Sequence, residues 1–238
     1  MPAASLEVRG LSAGYGPTVV LEDMSFSVPA GSRLSILGRN GMGKTTLLAS
    51  LMGMTRRYSG EIKVDGVDVS GAKSSERAWT GIGLVPQTRD IFRSLTVEEN
   101  LLVGIKDRPK SVIEEAYEMF PRLKERRSNL GWQLSGGEQQ MLSTARTILG
   151  RPSVLLLDEP LEGLAPVICD ELMAAFTRLA ATGEMTILLV EQRLESALDF
   201  ADTVMILERG RIVWQGTSDV LRSDHGLVER YIGVGSLH

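Results

Sequence analysis

Residues 38–45 read Gly-Arg-Asn-Gly-Met-Gly-Lys-Thr, and a loop of this composition suits one task above others, surrounding an anion with backbone amides. Its glycines admit the turn that points N–H groups inward, and the helix-favouring run at 46–51 presents its positive end to the same place. The apolar run at 34–37 supplies a strand just before it. Strand, glycine loop and helix in that order form a P-loop, which predicts triphosphate binding. Lys44 is expected to reach the β- and γ-phosphates, and Thr45 to hold Mg²⁺ through its hydroxyl. Gly38, Arg39, Asn40, Gly41, Met42, Gly43, Lys44, Thr45 and Thr46 are the candidate nucleotide-binding residues. A Gly-rich turn with an exposed lysine is the bland alternative, and the flanking strand and helix argue against it.

A P-loop needs an α/β frame, and the rest of the chain supplies one. Apolar runs at 6–9, 33–37, 82–85, 154–157, 186–190 and 203–207 mostly alternate with helical patterns, which predicts a mainly parallel sheet. Two hairpins add antiparallel strands: 61–64 turns at Asp65-Gly66 into 67–69, and 205–208 turns at Arg209-Gly210 into 211–215. Between Gln87 and Gly150 there is no strand signal, only helical stretches such as 96–103 and 111–119. A helical subdomain over approximately residues 88–150 is therefore expected inside the core. With 238 residues, 43% hydrophobic and 24% charged, the chain fits one large α/β domain, 1–238.

The net charge of −4 argues against recruitment of nucleic acid or anionic lipid by bulk electrostatics. No run approaches the roughly 18 apolar residues that cross a bilayer. The first residues lack a basic stretch followed by an apolar one, so a cytosolic location is expected. The single cysteine, Cys169, excludes an internal disulfide and sits among apolar residues as a structural thiol.

Two further segments carry chemistry. The strand pattern at 154–157 delivers Asp158-Glu159-Pro160 at its carboxyl end, where open α/β sheets place their ligands. Asp158 is expected to hold Mg²⁺ through its water shell, and Glu159 to polarise the water that attacks the γ-phosphate. Leu134-Ser135-Gly136-Gly137-Glu138 has capping-box spacing and opens a helix with an apolar face at Met141, Leu142, Ala145, Ile148 and Leu149. Two glycines in its first turn leave N–H groups open to a second anion. One nucleotide does not readily explain both phosphate sites within a monomer. A head-to-tail dimer, each P-loop closed by the partner's Ser135 segment, explains both.

The P-loop, Leu-Ser-Gly-Gly-Glu at 134–138 and Leu-Leu-Leu-Asp-Glu-Pro at 155–160, in that order, resemble the nucleotide-binding subunit of an ABC transporter over essentially the whole chain. The resemblance implies a P-loop NTPase core with a mainly parallel sheet, an antiparallel β subdomain and an inserted α-helical subdomain. It implies ATP and Mg²⁺ as ligands, with Tyr15 stacking on adenine and Gln87 touching Mg²⁺ and sensing the membrane subunit. It also implies two membrane permease subunits, a second ABC ATPase subunit and a peripheral position on the cytoplasmic face of the membrane, without nucleic acid. The groove around Gln87, with Ile91, Phe92 and residues 119–121, is expected to receive a short helix from the permease.

Finer segments, including Leu-Thr-Val-Glu-Glu-Asn-Leu at 95–101, Gly-Glu-Gln-Gln-Met-Leu at 137–142 and Glu-Gly-Leu-Ala-Pro at 162–166, are similar to the smaller ATPase of branched-chain amino acid importers. Urea-importer ATPases are close relatives, and a solute-binding protein is the implied indirect partner. The chain departs from the broad family at two places. Gln192 stands where most members place a γ-phosphate histidine, making it a candidate catalytic residue and favouring a heterodimer with unequal sites. Leu161 and Ala165 replace the usual Ser or Thr and Asp. Two other readings compete: a non-transport ABC ATPase, which usually carries paired domains or a long coiled coil, and a regulator without turnover, which would not need Glu159.

Overall fold

Residues 2–231 are described by the computed structural model, and the predicted runs fold into alternating strands and helices. In chain order these are β1 (Leu6–Tyr15), β2 (Thr18–Val28), β3 (Arg33–Leu37), α1 (Lys44–Leu51), β4 (Arg56–Val64), β5 (Val67–Asp68), α2 (Ser74–Trp79) and β6 (Ile82–Val85). The helices α3 (Val97–Gly104), α4 (Ile113–Met119), α5 (Pro121–Glu125) and α6 (Gly136–Leu149) follow. The remainder is β7 (Val154–Asp158), α7 (Pro166–Ala181), β8 (Thr186–Val190), α8 (Leu194–Phe200), β9 (Thr203–Glu208), β10 (Arg211–Thr217), α9 (Ser218–Ser223) and α10 (His225–Tyr231). The extreme ends of the span 1–238 expected for the domain lie outside the described residues.

The main sheet has the order β10-β9-β3-β8-β7-β6 and is parallel except for β10, which returns antiparallel on β9. A second, antiparallel sheet runs β2-β1-β4-β5. It is larger than the hairpin expected from the sequence, because β2, the second half of β1 and the first half of β4 were not legible as strands, and the run at 6–9, expected in the mainly parallel sheet, pairs antiparallel with β2 and β4 instead. The register of β1 against β2 shifts three times, between Val8 and Leu11, Leu11 and Ala13, and Ala13 and Gly14. Each shift breaks the two-residue apolar period by which a strand is recognised.

Burial of β7 on both faces explains how the layers assemble. Leu155 and Leu157 face the helical side, with Met141, Leu142 and Ala145 of α6 and Leu172 and Phe176 of α7. Val154 and Leu156 face the other core, with Leu47, Leu48 and Leu51 of α1 and Leu6, Val8 and Leu11 of the antiparallel sheet. The alternation follows from the two-residue period of a strand. Each fully buried aliphatic or aromatic side chain contributes about 1.5–3 kcal/mol, whereas an exposed pair such as Lys124–Glu114 adds at most about 1 kcal/mol. The two cores therefore hold the sheet whose strand tips carry the site.

Among the described residues, 88–150 contains helices and short turns, with one isolated bridge between Thr96 and Leu130. The second half of α6 packs against the sheet, where the Thr147 hydroxyl donates to the Leu84 carbonyl at 3.2 Å. Cys169 is buried, its Sγ lying 3.7 Å from the Leu161 carbonyl oxygen.

Candidate nucleotide-binding site

Strands β3, β8 and β7 are neighbours, with Ile36 and Asp158 both opposite Val190. The P-loop, Glu191-Gln192 and Asp158-Glu159 therefore leave the sheet side by side at its carboxyl edge. Between them lies a cleft of about 270 Å³. Its walls combine Asn40, Gly41, Gly43, Lys44, Thr45 and Thr46 with Gln87, Glu159 and Gln192. Val20 and Glu162 also line it, although the sequence did not single them out as site residues. Val20 lies within the bulged part of β2, between Val19 and Leu21, which the sequence left unread. Glu162 was visible only as part of a subfamily motif.

Gly38, Arg39 and Met42 frame the loop and do not line the cleft. Gly38 has φ 148°, and a Cβ there would stand 2.4 Å from the Leu207 carbonyl oxygen, so the loop begins pressed against β9. The Met42 carbonyl accepts the Gly210 N–H at 3.0 Å. Lys44 is 4% exposed. Its ammonium donates to the Gly38 and Arg39 carbonyls at 2.8 and 3.1 Å and lies 3.5 Å from Glu159 Oε1. α1 starts at Gly43 in a left-handed conformation, with no side chain capping it.

The Thr45 hydroxyl donates to Asp158 Oδ1 at 3.2 Å. Burial, reinforced by the charges of Glu159 and Glu162, pushes the Asp158 carboxyl up to about 6, against the opposing pull of Thr45 and Lys44. A cation beside it would offset that cost. No three carboxylate, histidine or cysteine groups converge into a metal centre among the described residues. One hydroxyl and one carboxylate instead suit Mg²⁺, a hard cation that keeps waters and takes further oxygens from phosphates. The residues present fit it.

Glu159 is held from several directions. Its backbone adopts φ 44°, left-handed for a non-glycine residue, and its N–H donates to the Val190 carbonyl at 2.9 Å. Such a conformation costs about 1–3 kcal/mol and persists only where its surroundings impose it. Its Oε2 accepts the amide N–H groups of Gln192 at 2.7 Å and Gln87 at 3.2 Å. Gln192 was expected at the γ-phosphate, and in the structure its amide lies on Glu159 in the same cleft. Glu191 steadies the turn: it is 3% exposed, and its Oε1 accepts the N–H groups of Gln192 and Arg193 at 2.8 and 3.2 Å.

Ser135, Gly136, Gly137 and Glu138 are not in the cleft walls. They form the capping box expected: the Ser135 hydroxyl accepts the Glu138 N–H at 3.3 Å, and the Glu138 carboxylate accepts the Ser135 N–H at 2.8 Å. Arg89 crosses this helix end, its guanidinium 2.8 Å from where a Cβ on Gly136 would stand. Tyr15 is 51% exposed at the tip of the β1–β2 hairpin and is likewise not a wall of the cleft.

The expected docking groove divides in two. Phe92, 47% exposed beneath the Arg146 guanidinium at 4.9 Å, lines a groove of about 550 Å³ with Met52, Met54 and Val103. Met119 and Pro121 line a different groove beside α7, and Phe120 is 3% exposed in the helical core. The break at Phe120 between α4 and α5 turns that aromatic inward, so residues 119–121 do not belong with Phe92. Gln87 and Phe92 are joined through Arg89 and Asp90, both left-handed, at φ 66° and 41°.

Among the described residues no helix is long and apolar enough to cross a membrane. The chain is 40% identical over 227 residues, 94% of its length and 97% of the relative's, to the high-affinity branched-chain amino acid transport ATP-binding protein BraG of Pseudomonas aeruginosa. It is 35% identical over 215 residues, 89% and 91% of the two lengths, to the probable branched-chain amino acid transport ATP-binding protein LivF of Archaeoglobus fulgidus. A solved ATP-binding subunit of an ABC transporter superposes with a TM-score of 0.82 at 29% identity, covering 93% of each chain. The ABC transporter family profile matches residues 21–162, across the P-loop, the Ser135 segment and Asp158-Glu159. The chain belongs to the ABC transporter family.

Proposed function

We propose that this chain is the ATP-binding and ATP-hydrolysing motor subunit of an ABC importer for branched-chain amino acids. One observation carries the hydrolytic half: Glu159 lines the P-loop cleft, buried, with Lys44, Gln87 and Gln192 all on its carboxylate. The names of BraG and LivF support the cargo.

The P-loop backbone and Lys44 bind the phosphates. Thr45 and Asp158 hold Mg²⁺, with Gln87 as a further oxygen donor. The ion, when bound, offsets charge on the phosphates and orients them. Glu159 takes a proton from the attacking water, and Gln192 positions that carboxylate. Tyr15 stacks on adenine. Ser135, Gly136, Gly137 and Glu138 close the ATP of a second ABC ATPase subunit, in a heterodimer. Each chain is one domain whose helical part, approximately 88–150, carries the docking groove at Phe92. Two permease subunits and, through them, a solute-binding protein complete the assembly on the cytoplasmic face of the membrane.

The test is ATP-dependent uptake of labelled leucine by vesicles holding this chain, its partner ATPase and the permease pair, supplied with binding protein. Preferential uptake of another solute overturns the cargo. Phe92→Asp should abolish uptake and spare ATP hydrolysis by the isolated chain; unchanged uptake moves the docking site elsewhere.

A further inference from the structure

Glu162 touches the site, yet the roles above leave it without one. It follows Glu159 by a turn: Pro160 fixes the backbone, buried Leu161 anchors it, and the Glu162 N–H donates back to the Glu159 carbonyl at 3.2 Å. The turn brings both carboxylates to one amide. Gln87 Nε2 donates to Glu159 Oε2 at 3.2 Å and also to Glu162 Oε2.

We propose that Glu162 is a positioning residue for Gln87, fixing its amide so that the nitrogen faces the two carboxylates and the oxygen is left for a cation. A glutamine amide has two nearly isosteric ends, and its surroundings decide which end faces which neighbour. A carboxylate oxygen accepts hydrogen bonds, so the NH₂ end is the one that fits between the two. With Glu159 alone, at 3.2 Å, the amide rotates more freely and its oxygen is shared with solvent. The charge-assisted bond to Glu162 removes that freedom. Glu162 itself is exposed at the cleft rim, so its truncation leaves the cores untouched.

This inference rests on the cleft being an Mg²⁺·ATP site. The test measures binding of a non-hydrolysable ATP analogue to the full chain, with and without Mg²⁺, for the wild type, Glu162→Ala and Glu162→Gln. The readout is the factor by which Mg²⁺ tightens binding. That factor should fall about three- to tenfold in Glu162→Ala, the range one hydrogen bond is worth. It should recover only in part in Glu162→Gln, whose amide oxygen still accepts the Gln87 N–H but whose nitrogen can equally face the Gln87 oxygen. Metal-free binding should be the same in the two variants, which both lack the Glu162 charge at the cleft wall, and melting temperature should stay the same in all three. An unchanged factor in Glu162→Ala overturns the inference, as does an equal loss in Glu162→Gln. No metal-dependent tightening in the wild type overturns the reading of the cleft itself.

Discussion

The amino ends of α1 and α6 are both proposed to face phosphate, and they are built in opposite ways. α1 begins at Gly43, left-handed at φ 103°, with no side-chain cap, no acidic residue in its first turn and the cation Lys44 at its first position. Helix dipole and ammonium add there, and within the chain the Gly38 and Arg39 carbonyls and the Glu159 carboxylate offset the ammonium. α6 begins at Ser135 in extended backbone, with a closed capping box, Glu138 in its first turn and Arg126 3.4 Å from that carboxylate. It neutralises itself, and the Arg89 guanidinium crosses its end beside Gly136. The first end is built as a receptor; the second is a finished structural element, closed by its own side chains.

The largest expected effect tests the receptor. Glu159→Gln should leave nucleotide affinity nearly intact and lower turnover by at least about 10²-fold, because the amide keeps the shape and loses the base. Near-wild-type phosphate release by the purified variant would remove the catalytic assignment.

A paired substitution tests the contrast directly. Gly43→Ala forces a Cβ into left-handed backbone 3.0 Å from Leu21 Cδ2, at about 1–3 kcal/mol of stability, and should weaken nucleotide binding with it. Ser135→Ala should cost about 1 kcal/mol and leave nucleotide binding by the isolated chain unchanged. Chemical denaturation and analogue titration read both. Equal losses of affinity would break the distinction between the two helix ends.

A smaller effect is expected at Gln192. Its 2.7 Å bond to Glu159 is worth about 0.5–1.5 kcal/mol, so Gln192→Ala should slow single-turnover hydrolysis only severalfold. The measurement uses the assembled pair of ATPase subunits with the partner's catalytic glutamate disabled. A loss as deep as that of Glu159→Gln would make the glutamine an equal catalytic element and end the argument for unequal sites.

The smallest effect separates the caps by pH. Burial pushes the Glu138 carboxyl up, but the Ser135 N–H and hydroxyl, with Arg126 and Arg122, outweigh it and hold it below the ordinary 4.5. A carboxyl with a depressed folded value contributes stability that is present above its unfolded value and lost as pH falls through the folded one. Acid should therefore loosen α6 below about pH 4.5, and Glu138→Gln should flatten that part of the stability profile. α1, with no side-chain cap, has no such dependence. An identical acid profile in wild type and variant would show that the carboxylate does not hold the cap.

The same contrast explains what could be read from sequence. Lys44, Thr45 and Asp158-Glu159 were legible because a local pattern of loop and strand fixes where they emerge, and parallel pairing of β3, β8 and β7 then brings them together. The capping box was legible for the same local reason. Val20 was not, since its place depends on β2 crossing to the P-loop by bulged, non-periodic pairing. Residues 119–121 were misplaced because an apolar side chain beside a groove and one under it look alike until the turn at Phe120 is known. The orientation of Gln87 follows from a partner 75 residues away, beyond any local pattern.

The link between Gln87 and Phe92 has a mechanical consequence. Four residues separate them, so even fully extended the segment spans only about 18 Å. Two of those residues are wound left-handed. The Phe92 end is gripped by buried Asn100, whose side-chain oxygen takes its N–H at 2.9 Å and whose nitrogen donates to its carbonyl at 3.0 Å. If the groove at Phe92 takes the permease helix as proposed, a displacement there has only this short segment to cross before it reaches Gln87 on the Glu159 carboxylate. Compliance is what the segment must lack. Glycines in place of Arg89 and Asp90 would sit comfortably in the same backbone and disconnect the two ends.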